Sequence, residues 1–397
     1  MTIQPWRGGG RLLSLSAAAA AAGLGLTLLG GLAGPEGPRR ALYAYLVAFV
    51  YWLGIALGAL ILLGALHAAK AKWPVVLRRF LETVPQTLPL FAVLFVPIAL
   101  GMGHLFLWTH PLAELEPELV HAVEHKLPYL NVPFFLARAA FYFAFWIAVA
   151  FTLRAWSTRQ DRAGGTTLTV WQRRLGAGSL PFLALTMTFA AFDWMMSLDP
   201  RFFSTIFGVY WFAGSFQGAF AVTIVAGAIG RGEKDLFAAH MNADHFHALG
   251  KFLLAFTAFW AYVAFSQFML IWIANIPEEV PWTLVRTSRG WGAVGISLAA
   301  LHFLAPFFLL LSRDLKRNPR ALALLAGWQL LMHWVDVYWL VMPRLHPDAP
   351  APGWVDLTAF VGVGGAAVAF TLWRLRGAVT VPVKDPYLED SLRYQPQ

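Results

Sequence analysis

Runs of about 20 residues with almost no charge recur along this chain, and a run of that kind leaves few folds open. A hydrocarbon layer about 30 Å thick is crossed by roughly 20 apolar residues in a helix. Ten stretches qualify, near residues 11–33, 41–66, 85–108, 133–153, 179–198, 205–229, 250–275, 291–312, 321–341 and 353–373. Backbone N–H and C=O groups must be satisfied inside lipid, and these runs are continuous rather than alternating, so they predict helices and exclude a β-barrel. With 58% hydrophobic and only 13% charged residues, the chain lies outside the range of a soluble domain. The expected fold class is an all-α polytopic membrane protein of about ten transmembrane helices.

The first stretch, after Arg7 and Arg11, has a signal-peptide look, with small residues near a cleavage point. Its apolar run exceeds the 7–15 residues usual for a signal core, so it is expected to stay as the first helix. Of the 30 Lys and Arg, 22 fall on the N-terminal side of the expected membrane and 7 on the other, with Arg138 at the mouth of the fourth helix. The positive-inside rule then predicts both termini in the cytoplasm. The net charge of +9 is spread over six segments and forms no continuous basic face, which argues against nucleic-acid binding. Cysteine is absent; Cys-ligated iron–sulfur clusters would therefore belong to a partner.

A faint internal repeat suggests the domain plan. "FVYWLGIALGA" (49–59) in the second stretch echoes "GVYWFAGSFQGA" (208–219) in the sixth. Asp193 in the fifth and Asp336 in the ninth are each followed by six residues and a Pro, Pro200 and Pro343. A shift of four helices keeps orientation. The expected plan is residues 1–40 as a tail and peripheral helix, 41–200 as a four-helix bundle of helices two to five, 201–345 as a second bundle of helices six to nine, and 346–397 as a peripheral helix and tail.

A carboxylate at mid-membrane costs roughly 3 kcal/mol on insertion scales, so it should face protein or water and have a partner. At 100° per residue, Thr186, Asp193 and Ser197 share one stripe of the fifth helix. Gln329, His333 and Asp336 share one on the ninth. Such stripes suit a proton relay or the wall of a quinone pocket, because Asp and His pass protons and hydrogen-bond a carbonyl. The structural alternative is that each acid ties a helix end to indole or backbone donors. His104 and His302 would suit a membrane haem if they faced each other, but lone histidines in aromatic bundles are more often hydrogen-bonded fillers. "HMNADHFH" (240–247) has ligand-like spacing in His240, Asp244 and His247, yet reads better as a loop and helix start. "AELEPELVHAVEHK" (113–126) reads as an amphipathic interfacial helix or docking surface.

"FDWMMSLDPRFFSTIFGVYWFAGS" (192–215), "LLAFTAFWAYVAFSQFMLIWIANIPEE" (253–279), "LSRDLKRNP" (311–319) and "VDVYWLVMP" (335–343) resemble the F-type subunit of bacterial alternative complex III. That family belongs to the NrfD/polysulfide-reductase-like membrane proteins, and the resemblance spans about residues 41–345. It implies two four-helix bundles within ten helices. It further implies an integral membrane subunit of a quinol:cytochrome c oxidoreductase of the respiratory chain or of photosynthetic electron transfer, in the bacterial inner membrane. The implied subunit conducts protons or contacts quinone, and has no covalently bound cofactor and no redox centre of its own. The implied partners are a C-type sister subunit, an iron–sulfur subunit, multihaem and monohaem cytochrome c subunits, and in some assemblies a terminal oxidase. One position departs: where the family pattern has Asp before "LGKF", this chain has Ala248, so no cytoplasmic proton entrance is carried over there. Two other classes stay open on the residues alone, a secondary transporter and a purely structural scaffold for a cytochrome complex.

Overall fold

The computed structural model describes residues 4–395, apart from the side chains of Glu118 and Arg289, so residues 1–3 and 396–397 of the terminal segments lie outside it. Among the described residues every regular element is helical. The long ones are α1 (Gly10–Gly31), α2 (Gly37–Ala68), α3 (Val75–Leu100), α4 (Val132–Ala163), α5 (Thr167–Trp194), α6 (Phe207–Ile229), α7 (Ala243–Ala274), α8 (Gly290–Leu311), α9 (Pro319–Val341) and α10 (Trp354–Leu375). Nine helices, all but α9, are long and apolar enough to cross a membrane among the described residues. In α9 the stripe of Gln329, His333 and Asp336 dilutes an otherwise apolar helix of 23 residues. The chain is an all-α protein of polytopic membrane type.

Several helices outrun their apolar cores, because polar residues at their ends find partners. α5 begins at Thr167 rather than near 179, and its first turns bury Gln172, which donates to Gln160 Oε1 at 2.9 Å. The third stretch needs the largest correction. It starts at Val75, drawing in Arg78 and Arg79, which pair with Asp385 and with Glu82 and Asp161. It is not one continuous helix, since Pro85, Pro89 and Pro97 remove ladder donors and break it into short turns. Residues 102–109 form separate turns beyond its end.

Helices α2 and α6 cross near the middle of the protein, where α2 is nearly all buried. A Cβ at Gly54 or Gly58 of α2 would run into Ser215 of α6, so the two glycines permit the close approach. On one side α2 packs with α3 and α5, and α4 packs against those two; on the other α6 packs with α7 and α9, and α8 packs against those two. α1 lies against α10 along small residues, with a Cβ at Gly23 only 2.6 Å from Gly362 Cα and Thr27 bonded to Thr358 at 3.1 Å. Trp6 N–H donates to Ala378 O, which sets both chain ends on one face, the terminal face. There the segment after α10 runs beneath the helices as a strap. Thr380 donates to Asp235 O, Lys384 to Arg162 O, and Ser391 to Trp73 O, while Asn242 donates to Tyr394 O. On the opposite, far face the helix Pro117–Lys126 begins just after the turns that follow α3.

Candidate functional site

Asp193 is fully buried at the far end of α5. Arg138 of α4 grips it bidentately, Nε to Oδ2 at 2.9 Å and Nη2 to Oδ1 at 2.8 Å. Tyr142, one turn along α4, adds its hydroxyl to Oδ2 at 2.9 Å. Arg138 also donates to Tyr129 O and lies 3.8 Å from the Tyr129 ring centroid. Charge and hydrogen-bonding capacity are therefore met by a paired cation, an arrangement whose loss strands a buried charge. The remaining stripe does not converge on the acid. Thr186 accepts from Trp146 Nε1 at 2.8 Å, and Ser197 donates to the backbone oxygen of Asp193 at 2.5 Å, not to its carboxylate.

Asp336 is equally buried on α9, with other company. Tyr210 of α6 donates to Oδ1 at 2.5 Å and Trp260 of α7 to Oδ2 at 3.0 Å. Both donors are neutral, and among the described residues no Lys or Arg pairs with this carboxylate. One turn toward the terminal face, His333 Nδ1 stands 3.7 Å from Oδ2. Its ring is 6.5 Å from that of His302 on α8, which packs edge-on against Trp260 at 4.2 Å. Both nitrogens of both imidazoles are buried and make no hydrogen bond among the described residues. A buried polar group left unpaired calls for an explanation.

Local chain geometry places these rings. Gly214 lets His333 lie against α6: a Cβ there would stand 2.5 Å from His333 Cε1. Tyr51 of α2 covers the other side of that ring at 5.2 Å. His302 sits in a seven-residue π-helical stretch, Leu298–Leu304, whose wider turn changes the register of α8. Stretches of this kind are frequent at functional sites. A further turn toward the terminal face, Gln329 of α9 and Gln217 of α6 both donate to Thr257 Oγ1 of α7 at 2.9 Å, and each keeps an unpaired buried amide oxygen. Gln329, His333, Asp336 and His302 thus come together with Gln217, Thr257, Tyr210 and Trp260.

His104 does not join them. It is exposed past the broken end of α3, whereas His302 is buried, so the two do not share the site. Of the 240–247 motif, Asn242 caps α7 and Asp244 pairs with Arg317, which makes it a helix start. No group of three metal-ligating side chains forms among the described residues. Sequence reasoning passed over Tyr142, Tyr210, Trp260 and Thr257. Arg138 and Tyr142 stand four apart on one helix face, and Tyr210 lies inside the repeated "VYW", so a signal for both existed. Compared with known proteins, the chain matches no family model and no curated protein.

Proposed function

We infer that this chain is an integral membrane subunit of a quinol:electron-acceptor oxidoreductase of the alternative complex III type, and that Asp336, His333 and His302 handle its protons. One observation carries the proton assignment: a buried carboxylate with only neutral donors lies beside two buried imidazoles without hydrogen bonds. Protonating Asp193 would break an ion pair; protonating Asp336 breaks none. Acid and imidazole are the side chains best suited to exchange protons near neutral pH. The assignment to this type of complex rests on the four resembling stretches, and the all-α polytopic fold agrees with it. The iron–sulfur subunit, the cytochromes and the C-type sister would supply the electron path.

With the terminal face toward the cytoplasm, as the basic residues favour, Asp336 lies in the outer half of the membrane. It sits seven residues before Pro343, within about 10 Å of the outer helix end at 1.5 Å per residue. That is the place for a proton exit. The layer of Gln217, Thr257 and Gln329 lies inward of it as the approach. A secondary transporter is less well supported: the breaks fall in α3 and α8, while α7, which a four-helix shift pairs with α3, is continuous over 32 residues. The scaffold reading applies to Asp193.

The test is Asp336→Asn in the assembled complex, purified through a tag and reconstituted in vesicles. The mutant should assemble with its haem and iron–sulfur absorbance and lose proton release coupled to quinol oxidation. Full coupled turnover would sink the proton assignment. Isolation of the wild-type chain alone, colourless and without partners, from gently solubilised membranes would sink the complex.

A further inference from the structure

On the far face, the turn after α5, the short helix Val280–Thr287 and the turn after α9 meet around a crevice of about 90 Å³. It has room for a few water-sized bodies and is far too small for a cofactor. Phe202 from the turn after α5 stacks on Trp282 of the short helix at 4.2 Å, which fixes the two segments against each other. Three arginines line the crevice, Arg201, Arg286 and Arg344, against a single acid, Asp199. Arg201 is already committed: its Nε stands 3.5 Å from Asp199 Oδ1, and its backbone N–H donates to the same oxygen. No carboxylate pairs with Arg286 or Arg344 among the described residues. Lys126, which donates to Pro200 O beside Asp199, adds to the positive excess.

Arg286 is the more deeply placed of the two, only 5% exposed. Its guanidinium lies 3.7 Å from the Trp282 ring centroid, and it donates to Trp282 O at 3.0 Å through Nη1 and to Leu340 O at 2.6 Å through Nη2. Nε keeps its hydrogen. Among the described residues it is the one buried side-chain polar atom of this lining without a partner. Burial lowers the Arg286 pKa to about 9, against the pull of Asp199 and Tyr210, so the group is cationic at neutral pH. Arg286 and Trp282 also border a larger, mostly apolar cavity between α7, the short helix and α8, but that cavity offers no second cation.

Two positive charges in a half-enclosed crevice are costly unless an anion joins them. Pro281, Pro343 and Pro347 line it too and have no N–H to offer, so the arginines must supply the donors. A carboxylate or phosphate is matched by the parallel N–H pair of a guanidinium. Arg286 has spent both Nη groups on carbonyls and offers a single N–H, which suits a monatomic ion. We propose that this crevice holds one chloride ion, bonded by Arg286 Nε and the guanidinium of Arg344, and that the ion ties the turn after α5 to the turn after α9.

Binding is measured on the full chain in phosphatidylcholine nanodiscs, at a constant ionic strength of about 0.15 M, which screens loose association with surface charges. Sodium chloride replaces sodium gluconate stepwise, and the probe is chloride itself, followed by the broadening of its NMR line over that from empty nanodiscs. Saturable broadening is expected, with bromide displacing the ion. Arg286→Gln should abolish it, and Arg344→Gln should weaken affinity at least threefold. Arg159→Gln, at an exposed cation on the terminal face, should leave affinity within threefold of wild type. If Arg286→Gln does not fold, Val285→Phe, which fills the crevice and keeps both arginines, is held to the same threefold loss. The proposal is overturned if wild type shows no saturable broadening, if Arg344→Gln binds within threefold of wild type, if Arg159→Gln weakens binding as much, or if sulfate displaces chloride at a lower concentration than bromide does. No partner or turnover enters the measurement, so its outcome is independent of the vesicle test of Asp336.

Discussion

Around Asp193 the protein supplies a guanidinium and a phenol; around Asp336 it supplies a phenol, an indole and no cation. Both acids stand seven residues before a proline at the far ends of their helices, and both are buried. The difference comes from the neighbouring helix. α4 presents Arg138 and Tyr142 on one face, whereas α8 presents His302, which reaches Trp260 rather than the carboxylate. Similar positions on two helices are therefore met differently, one acid clamped to the neighbouring helix by a cation and the other held by neutral donors alone.

The largest effect should come from breaking the clamp. Arg138→Ala leaves Asp193 buried and unpaired and should cost about 3–5 kcal/mol of stability, read from unfolding of the detergent-solubilised protein by SDS titration. Replacing both partners by apolar residues, Arg138→Met with Asp193→Leu, should recover most of that loss; a double mutant as unstable as the single would mean that Arg138 matters through Tyr129 instead. Next comes Gly214→Ala, whose Cβ displaces His333: about 1–2 kcal/mol, from an overpacking cost reduced by the better helix propensity of alanine. Gly327→Ala on α9, with nothing within 4 Å of its Cβ, is the control and should not destabilise.

Asp336→Asn should cost about 1–2 kcal/mol, since one of two donors loses its acceptor and no cation is stranded. Its contrast with Asp193→Asn, which weakens a bidentate ion pair, is the sharpest single comparison. Equal losses from the two would erase the distinction drawn between the sites. His104→Ala, at an exposed position, should change stability by no more than about 0.5 kcal/mol by the same titration.

Much of the fold was legible because lipid leaves so few choices: a long uncharged run must be helical, and nine of the ten stretches fall on helices apolar enough to cross a membrane among the described residues, the third of them broken. Their ends were less legible. Arg78 and Gln172 look like loop residues until Asp385 and Gln160 are brought to them from elsewhere in the chain. The two acids announced themselves, being charges in apolar surroundings, but the sequence stripe placed Thr186 and Ser197 with Asp193 when each bonds elsewhere. A stripe states which residues share a face, and says nothing of which neighbour that face meets. The cavity between α7, the helix Val280–Thr287 and α8 left almost no trace, because its openness depends on alanines and glycines of two helices that sequence alone does not bring opposite one another.

The strap after α10 has a consequence for how the protein is made. It ties Trp73, Asp235 and Asn242, in the segments joining α2 to α3 and α6 to α7, and Arg162 in the last turn of α4. Every helix it fastens is synthesised before it. Helices thus enter the bilayer in order, with some connections on that face already joined, as Phe80 is to Phe237, and the contacts of the strap are the last to be made. A ribosome that stops short of residue 380 would leave a chain fully inserted yet unlatched on one side, a defect that proteases on that side can recognise and the membrane cannot.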